Sequence, residues 1–400
     1  MTLAPYKQPL LETPLHARTA PLCLTGDRSN WGGYLTVHSY RNVELEYFAI
    51  RNAATLFDLS PMRKYRISGP DAERYLNRLL TRDVRKIKPG RVAYAVWCDD
   101  AGKVLDDGTV FRFGAEEFRI CSQERHLNWF LDSAIGFEVD VLDESEAIAA
   151  IALQGPQSFS VLKALGMTGS ETLKPFDMAE FTIDGLVVTL SRTGFTGDLG
   201  YELWTESENA VALWDRLMAA GAAHGIVAVG SAALDLARIE AGFLAANVDF
   251  VAAEQALRAT RRRSPVELGL GWLVDFDKGH FNGRRALLAE RDGTGRKSAT
   301  GTRLVGLDVA GNKPAVDALI YVGRATRAGF VTSAMWSPTC KRNIALAILK
   351  QPFAAGDQAL WTEIYVKKEG KWEKVVAPCR IVERPFFNPP RRRATPPLPY

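Results

Sequence analysis

Residues 102–111 read GKVLDDGTVF, two adjacent carboxylates, Asp106 and Asp107, inside a run of strand-forming residues. Burying an ionised carboxylate is costly unless it is paired or hydrogen-bonded. Period-two alternation puts Val104, Asp106 and Gly108 on one face and Leu105, Asp107 and Thr109 on the other. Carboxylates on opposite faces cannot line one pocket unless Gly108 distorts the strand, which argues against a glycosidase-like pair. Either one Asp carries chemistry and the other structure, or both cap the turn and bond to backbone.

Working outward, RVAYAVWCD (91–99) reads as a strand joined to this one by an Asp-Asp-Ala-Gly turn. Before it, DAERYLNRLLTRDV (71–84) has Leu76, Leu79 and Leu80 at helical spacing, with Asp71 near its start. After it come a strand, EEFRICS (116–122), and a short helix, HLNWFLDSA (126–134). A related order recurs with FTIDGLVVTLSR (181–192) and LGYELWTE (199–206) as strands and AVALWDRLMAAGAAHG (210–225) as a helix. The expected fold class is therefore α+β, with two α+β subdomains sharing one region, 10–292. Beyond the polar stretch RDGTGRKSATG (291–301), the short strands RLVGLDV, ALIYVG, AGFVTSAMW, IALAIL and TEIYVKK predict a separate β-rich domain over 300–388. The first dozen residues and a Pro/Arg-rich tail, 389–400, read as irregular.

The second informative stretch is SRTGFTGDLGYELW (191–204). Gly194, Gly197 and Gly200 permit sharp turns and close backbone approach to a ligand. Glu202 follows within a strand, where a carboxylate can accept two N–H bonds from a flat heterocycle. The alternative is a glycine-rich hairpin with a solvent-facing Glu. No parallel βαβ unit surrounds the glycines, so this is not a dinucleotide fingerprint.

The bulk numbers exclude several classes. A chain of 400 residues predicts two or three domains, and 47% hydrophobic with 24% charged residues is ordinary globular composition. A net charge of +4 does not argue for nucleic acid or a membrane surface. The N-terminus lacks the order of a signal peptide, and no apolar run reaches a membrane-spanning length. Cys23, Cys98, Cys121, Cys340 and Cys379 are scattered, which predicts neither a disulfide framework nor a cysteine-built zinc site. His16, His38, His126, His224 and His280 are equally scattered, so no metal is expected. No Gly-x-Ser-x-Gly elbow marks a serine hydrolase. The composition fits a reduced cytoplasmic enzyme. Arg261–Arg263 and Arg391–Arg393 read as solvated charge runs, with binding of an anionic ligand tail as the alternative.

Taken together, IRNAATLFDLSPM (50–62), ISGPDAERYLNRLLTRDVRKIKPGRVAYA (67–95), GKVLDDGTVF, ALQGPQS (152–158), SRTGFTGDLGYELW, RIEAGF (238–243), ELGLGWLVDFDKGHFNGRRAL (267–287), RLVGLDV and GFVTSAMWSPTCKRNIALAIL (329–349) resemble the glycine-cleavage T-protein (aminomethyltransferase) family, with its tetrahydrofolate-dependent demethylases. The resemblance implies a three-lobed cloverleaf: two α+β subdomains and a C-terminal β-barrel-like domain around a central folate funnel. It implies tetrahydrofolate as cofactor, Asp106 as the catalytic group, Glu202 on the pterin edge and Tyr94 near the cofactor. Arg238, Phe195 and Trp272 fall in matching motifs as further cofactor contacts.

Departures from the family pattern bear on the one-carbon donor. The entrance segment is replaced by NWGGYLTVHSY (30–40), Pro61 stands for a His, Leu234 for a folate-contacting Arg, and Phe195 for a Tyr. A segment, FVAAEQALRATRRR (250–263), is added. Trp31, Tyr34 and Tyr40 suggest an aromatic-lined pocket for a compact, even cationic, donor. The expected function is a stand-alone demethylase or methyltransferase that moves a methyl or methylene group from a small N-, S- or O-methylated metabolite to tetrahydrofolate. The expected partner is that free small molecule, with no nucleic acid and no membrane; the lipoyl-bearing H-protein is less favoured. The alternatives are the glycine-cleavage aminomethyltransferase itself and a non-catalytic folate-binding protein. The latter's Lys-Gly-Cys-Tyr-x-Gly-Gln-Glu signature is not found.

Overall fold

The computed structural model describes residues 9–294, 301–356 and 358–398. The chain opens with β1 (Leu11–Glu12), α1 (His16–Leu22), β2 (Arg28–Trp31) and β3 (Tyr34–Val37), whose strands pair in the order β1-β3-β2. Helix α2 (Val43–Asn52) begins where the Asn42 side chain accepts the N–H groups of Glu44 and Leu45, and leads into β4 (Thr55–Asp58). A five-stranded sheet, order β6-β7-β8-β5-β9, follows from β5 (Arg63–Ser68), α3 (Ala72–Leu79), β6 (Arg91–Cys98), β7 (Val104–Arg112), β8 (Glu117–Ser122), α4 (Leu127–Ala134) and β9 (Asp140–Asp143).

Strands β10 (Ile148–Gln154), β11 (Met178–Ile183), β12 (Leu186–Ser191), β13 (Gly200–Glu206) and β14 (Val227–Ala228) join β4 in a six-stranded sheet, order β11-β12-β13-β10-β4-β14. Helices α5 (Ser158–Ala164) and α6 (Ala210–Gly221) pack with it. After α7 (Ser231–Glu240) and α8 (Arg284–Arg291), the chain closes a six-stranded barrel from β15 (Thr302–Val309), β16 (Leu319–Val322), β17 (Thr326–Ser337), β18 (Arg342–Lys350), β19 (Leu360–Lys368) and β20 (Lys371–Val382).

The α+β class and the terminal barrel agree with expectation, and two local readings need correction. Residues 181–192 are a hairpin rather than one strand, because Asp184 (φ 45°) and Gly185 (φ 83°) both take the left-handed conformation that a tight hairpin turn requires. Strand β20 escaped the sequence reading because only its inward residues, such as Ala377 and Cys379, are apolar at regular spacing, and its first four residues are exposed.

Three apolar clusters fill the individual lobes, and a fourth joins them. This central cluster draws Val96, Phe111 and Cys121 from the first sheet, Ala152 and Trp204 from the second, and Leu346 and Ile348 from the barrel. Beside it lies a buried charged knot. The Arg51 guanidinium meets Glu240 at 2.7 Å and Asp198 at 3.5 Å, and donates to the Thr196 carbonyl. Glu240 also accepts from the Tyr47 and Ser337 hydroxyls. Arg391, from the tail read as irregular and solvated, closes the knot with a bidentate pair to Asp198 at 2.6 and 2.8 Å. The Asp198 side chain is fully buried, so leaving it unpaired is far costlier than ordering the tail.

Candidate functional site

The two carboxylates of β7 point to opposite sides, as alternation requires, but the strand carries an irregularity at Leu105 rather than at Gly108. Trp97 pairs with Asp106 while the next residue, Cys98, pairs with Val104, so Leu105 is an extra residue. Val104 thereby faces the central cluster while Leu105 joins the core of the first sheet. The expected grouping of Val104 with Asp106 is corrected on this ground. Gly108 instead lets the neighbouring strand come close, since a Cβ there would lie 2.1 Å from the Cys121 carbonyl oxygen.

Asp106 is completely buried. Its Oδ1 accepts the Asp107 N–H at 2.9 Å, and its Oδ2 accepts the Glu124 N–H at 3.3 Å and lies 3.0 Å from His126 Nε2. Trp97 meets the His126 ring edge-on at 5.4 Å. The residue expected to be catalytic is thus enclosed by its own chain. Sequence reasoning missed His126, since one of five scattered histidines carries no spacing signal.

Asp107, Thr109 and Phe111 occupy the opposite face of β7, each side chain two residues from the next. Across the central seam, Glu202 and Trp204 share one face of β13. The Phe111 and Trp204 rings touch at 5.1 Å, edge to face, so the two strand faces meet over a common aromatic floor. Above it, Tyr94 and Glu202 remain partly exposed although their strand neighbours on both sides are buried. The Tyr94 hydroxyl donates to Asp107, and its ring lies 6.2 Å from that of Trp272, which is exposed at the rim. The face of β7 that meets the seam therefore carries Asp107 with its Tyr94 partner, β13 presents Glu202 on the strand across it, and Asp106 lies behind β7.

Electrostatics mark the same residues. Burial, then the neighbouring Asp106 charge, pushes the Asp107 carboxyl up to about 7. Burial also lifts Glu202 to about 7, against the opposing hydrogen bond from the Thr193 hydroxyl at 2.6 Å. Tyr94 is held well above its ordinary value by burial and by Asp107. Among the described residues no cation pairs with Glu202, so it has capacity for N–H donors from a ligand. A carboxylate with that capacity can accept two N–H bonds from a flat heterocycle.

Other expected contacts lie elsewhere. The Arg238 guanidinium is engaged by Asp235, Asp249, the Phe243 carbonyl and the Ser333 hydroxyl in the seam between α7 and the barrel. Leu234, in place of the family's Arg, packs against the central cluster. Phe195 stacks on Phe243 at 5.6 Å, and the Arg392 guanidinium covers Phe243 from above. The glycines of 194–200 approach the chain itself rather than opening space for a ligand: a Cβ at Gly194 or Gly200 would lie 2.1 or 2.2 Å from Gln154 Oε1. Trp31 packs on Phe57 beside the central cluster, whereas Tyr34 faces the Arg63 guanidinium and Tyr40 belongs to the core of the second sheet. These three aromatics form no common box. Arg261 lies over the Phe330 ring, and Arg263 is buried, donating to the Thr260 and Arg262 carbonyls. The reading of Arg261–Arg263 as a wholly solvated run is corrected accordingly.

Among the described residues no cluster of His, Cys, Asp and Glu is arranged to hold a metal, and no helix is long and apolar enough to cross a membrane.

Comparison with known proteins agrees with this architecture. The GCVT N-terminal domain matches residues 27–278, and the glycine cleavage T-protein C-terminal barrel domain matches residues 302–388. An aminomethyltransferase of Desulforamulus reducens is 30% identical, over 95% of this chain and 99% of that protein. One from Moorella thermoacetica is 32% identical, over 90% of this chain and 94% of its own length. A trimethylamine-oxide aldolase of Ruegeria pomeroyi is 36% identical over 87% of this chain, which spans 43% of that protein. The crystal structure of the glycine cleavage system aminomethyltransferase T from Bartonella henselae shares the fold, with a TM-score of 0.81 at 24% identity over 95% of this chain and 98% of that one. With both domains matched in order across the molecule, the chain belongs to the glycine cleavage T-protein family.

Proposed function

We propose that the chain is a tetrahydrofolate-dependent one-carbon transferase whose donor is a free, small, methylated metabolite. The observation that carries this reading is the Tyr94–Asp107 pair on the face of β7 that meets β13, the strand of Glu202, through the Phe111–Trp204 contact. Bound tetrahydrofolate would supply the nitrogen that accepts the one-carbon unit. Glu202 accepts from the pterin N–H edge, and Trp272 and Tyr94 offer flat surfaces beside it. Asp107 is the reacting carboxylate in this reading, and Asp106 holds the strand behind it.

Asp107 acts in two ways. Transfer would break the donor's heteroatom–carbon bond, with the heteroatom keeping the electron pair, and would leave the folate nitrogen cationic; a carboxylate about 4 Å away would stabilise that charge by about 4 kcal/mol at an effective dielectric of about 20. Asp107 would then take the proton from that nitrogen. A carboxyl poised near 7 both accepts and returns a proton at neutral pH.

The small-donor reading rests on the entrance. Residues 30–37 fold as the end of a hairpin whose Gly32 carbonyl accepts from Arg63 and whose Trp31 seats on Phe57, which favours a compact donor over a long lipoyl arm. Similarity to a protein named for trimethylamine oxide favours an N-methylated one. Full-length likeness to aminomethyltransferases supports a second reading, transfer from an aminomethylated H-protein. The test combines tetrahydrofolate with methylated amines, amine oxides, sulfonium compounds and methoxylated aromatics, and in parallel with aminomethylated H-protein. Methyl- or methylene-tetrahydrofolate is measured as product. Turnover with H-protein and none with any free donor would establish the second reading.

A further inference from the structure

Behind the reacting face of β7 lies a pair that the proposed chemistry does not use directly, Asp106 and His126. Both are buried to within 2% of complete enclosure. Asp106 connects the two sides of the strand: its Oδ1 accepts the Asp107 backbone N–H at 2.9 Å, and its Oδ2 lies 3.0 Å from His126 Nε2. The His126 ring is fixed in turn. Its backbone N–H donates to the Tyr65 hydroxyl, Trp97 packs against it edge-on, and Phe130 lies 6.0 Å away. Its Nδ1 is buried without a hydrogen bond, 3.8 Å from a Glu254 carboxylate oxygen whose side chain reaches solvent.

This arrangement leaves the imidazole one strong interaction, with Asp106. A carboxylate oxygen facing Nε2 is the natural acceptor for a ring N–H there. We propose that His126 is a positioning residue that acts through Asp106, holding a negative charge directly behind Asp107 and so governing how readily Asp107 takes and gives its proton. The proposal rests on the assignment of Asp107 as the reacting carboxylate. It adds a third residue to the two that the Asp-Asp pair supplies.

The surrounding charges are few. The groups acting on Asp107 are Asp106 behind it on the same strand, Tyr94 from β6 and Asp249 from the segment before the barrel. His126 faces Asp106, Glu254 and Glu124, and Arg63, Arg125 and Asp143 act on the neighbouring Tyr65. Hydrogen bonding to a charged carboxylate favours the charged form. Without the imidazole donor, the negative charge behind Asp107 is no longer held in place by that hydrogen bond, and Asp107 releases its own proton at lower pH.

The test is a carbon-13 NMR titration of the full-length protein carrying aspartate labelled at the carboxyl carbon, with no folate or donor present. It reads the carboxylate coupling alone, so it stands or fails independently of any transferase assay. The Asp107 signal is identified by its loss in Asp107→Asn. The wild-type midpoint is expected near 7. In His126→Phe and in the isosteric Asp106→Asn it falls by about one pH unit or more, the usual effect of removing a like charge at contact range. In His126→Gln, whose side-chain N–H replaces Nε2, it stays near the wild-type value. An unmoved midpoint in Asp106→Asn overturns the proposal even if His126→Phe fails to fold. So does a His126→Gln midpoint as low as that of Asp106→Asn.

Discussion

The Tyr94 hydroxyl donates to the Asp107 carboxylate from the adjoining strand, reaching diagonally past Val96, the residue paired with Asp107 in the ladder. That bond favours the ionised carboxylate, while burial and the Asp106 charge favour the protonated one. The balance between them keeps Asp107 close to neutral pH.

Replacing Tyr94 by Phe removes the bond and leaves the ring. Asp107 then holds its proton to higher pH, so the acid limb of the transfer profile moves upward and the rate at pH 7 falls by about threefold to tenfold, within the range of one acid–base interaction. Melting temperature changes little. Single-turnover transfer measured from mildly acidic to alkaline pH reads the effect, and an unshifted profile would separate Tyr94 from the reacting carboxylate.

The adjacent carboxylates should respond differently to mutation. Asp107→Asn keeps the fold and folate binding but loses about a hundredfold or more in turnover, the scale of a positioned acid–base group. Asp106→Ala strands the Asp107 and Glu124 N–H groups and His126, and should destabilise by about 3 kcal/mol in urea unfolding. An Asp107→Asn enzyme with wild-type turnover would return the catalytic role to Asp106.

Glu202 links binding to pH. Its folded value, about 7, lies above the ordinary carboxylate value of 4.5. Stability that it contributes is therefore complete below pH 4.5 and lost as pH rises to 7, because ionisation is penalised only in the folded state. At mildly alkaline pH, Glu202→Gln should stabilise the ligand-free protein by up to about 3 kcal/mol. Tetrahydrofolate affinity should fall in the variant, and in the wild type it should weaken as pH drops below about 7. Calorimetry across that range, alongside thermal melts, reads both; affinity unchanged by the substitution would remove Glu202 from the pterin site.

Arg238 offers a contrast between cofactor contact and internal strut. Arg238→Met leaves Asp249 buried without its cation and should cost about 3–5 kcal/mol of stability. Folate affinity of the remaining folded protein should be unaltered. A large loss of affinity with little loss of stability would make Arg238 the cofactor contact expected from its motif.

The α+β class, the terminal barrel and the placing of two adjacent carboxylates in one strand were legible in the sequence, because strand alternation and ordered motifs are local signals. The orientation of the pair was less so. Alternation separates Asp106 from Asp107, but only the partner strands say which face meets Glu202, and Leu105 shifts the phase of Val104. His126 was invisible because its partner lies 20 residues away with no periodic relation. The glycines at 194 and 200 were legible as close approaches, yet the approaching group, Gln154, belongs to β10 and is fixed only by tertiary packing. Tyr34 and Tyr40 show the converse error: aromatic residues near an entrance are usually claimed by the nearest core.

The knot around Arg51 and Glu240 bears on how this molecule comes apart. Tyr47 meets Thr339 across 292 positions of chain, and Arg391 donates to the Arg51 carbonyl across 340. Contacts so distant in sequence make folding slow, since large loops must close before they are repaid in packing. They also deny each half an independent existence. Residues 27–278 expressed alone would expose Glu240 without Ser337, and Asp198 without Arg391. The gap between the two matched domains separates two sequence families, and heat or urea should find no fracture line there: the two halves should melt as one.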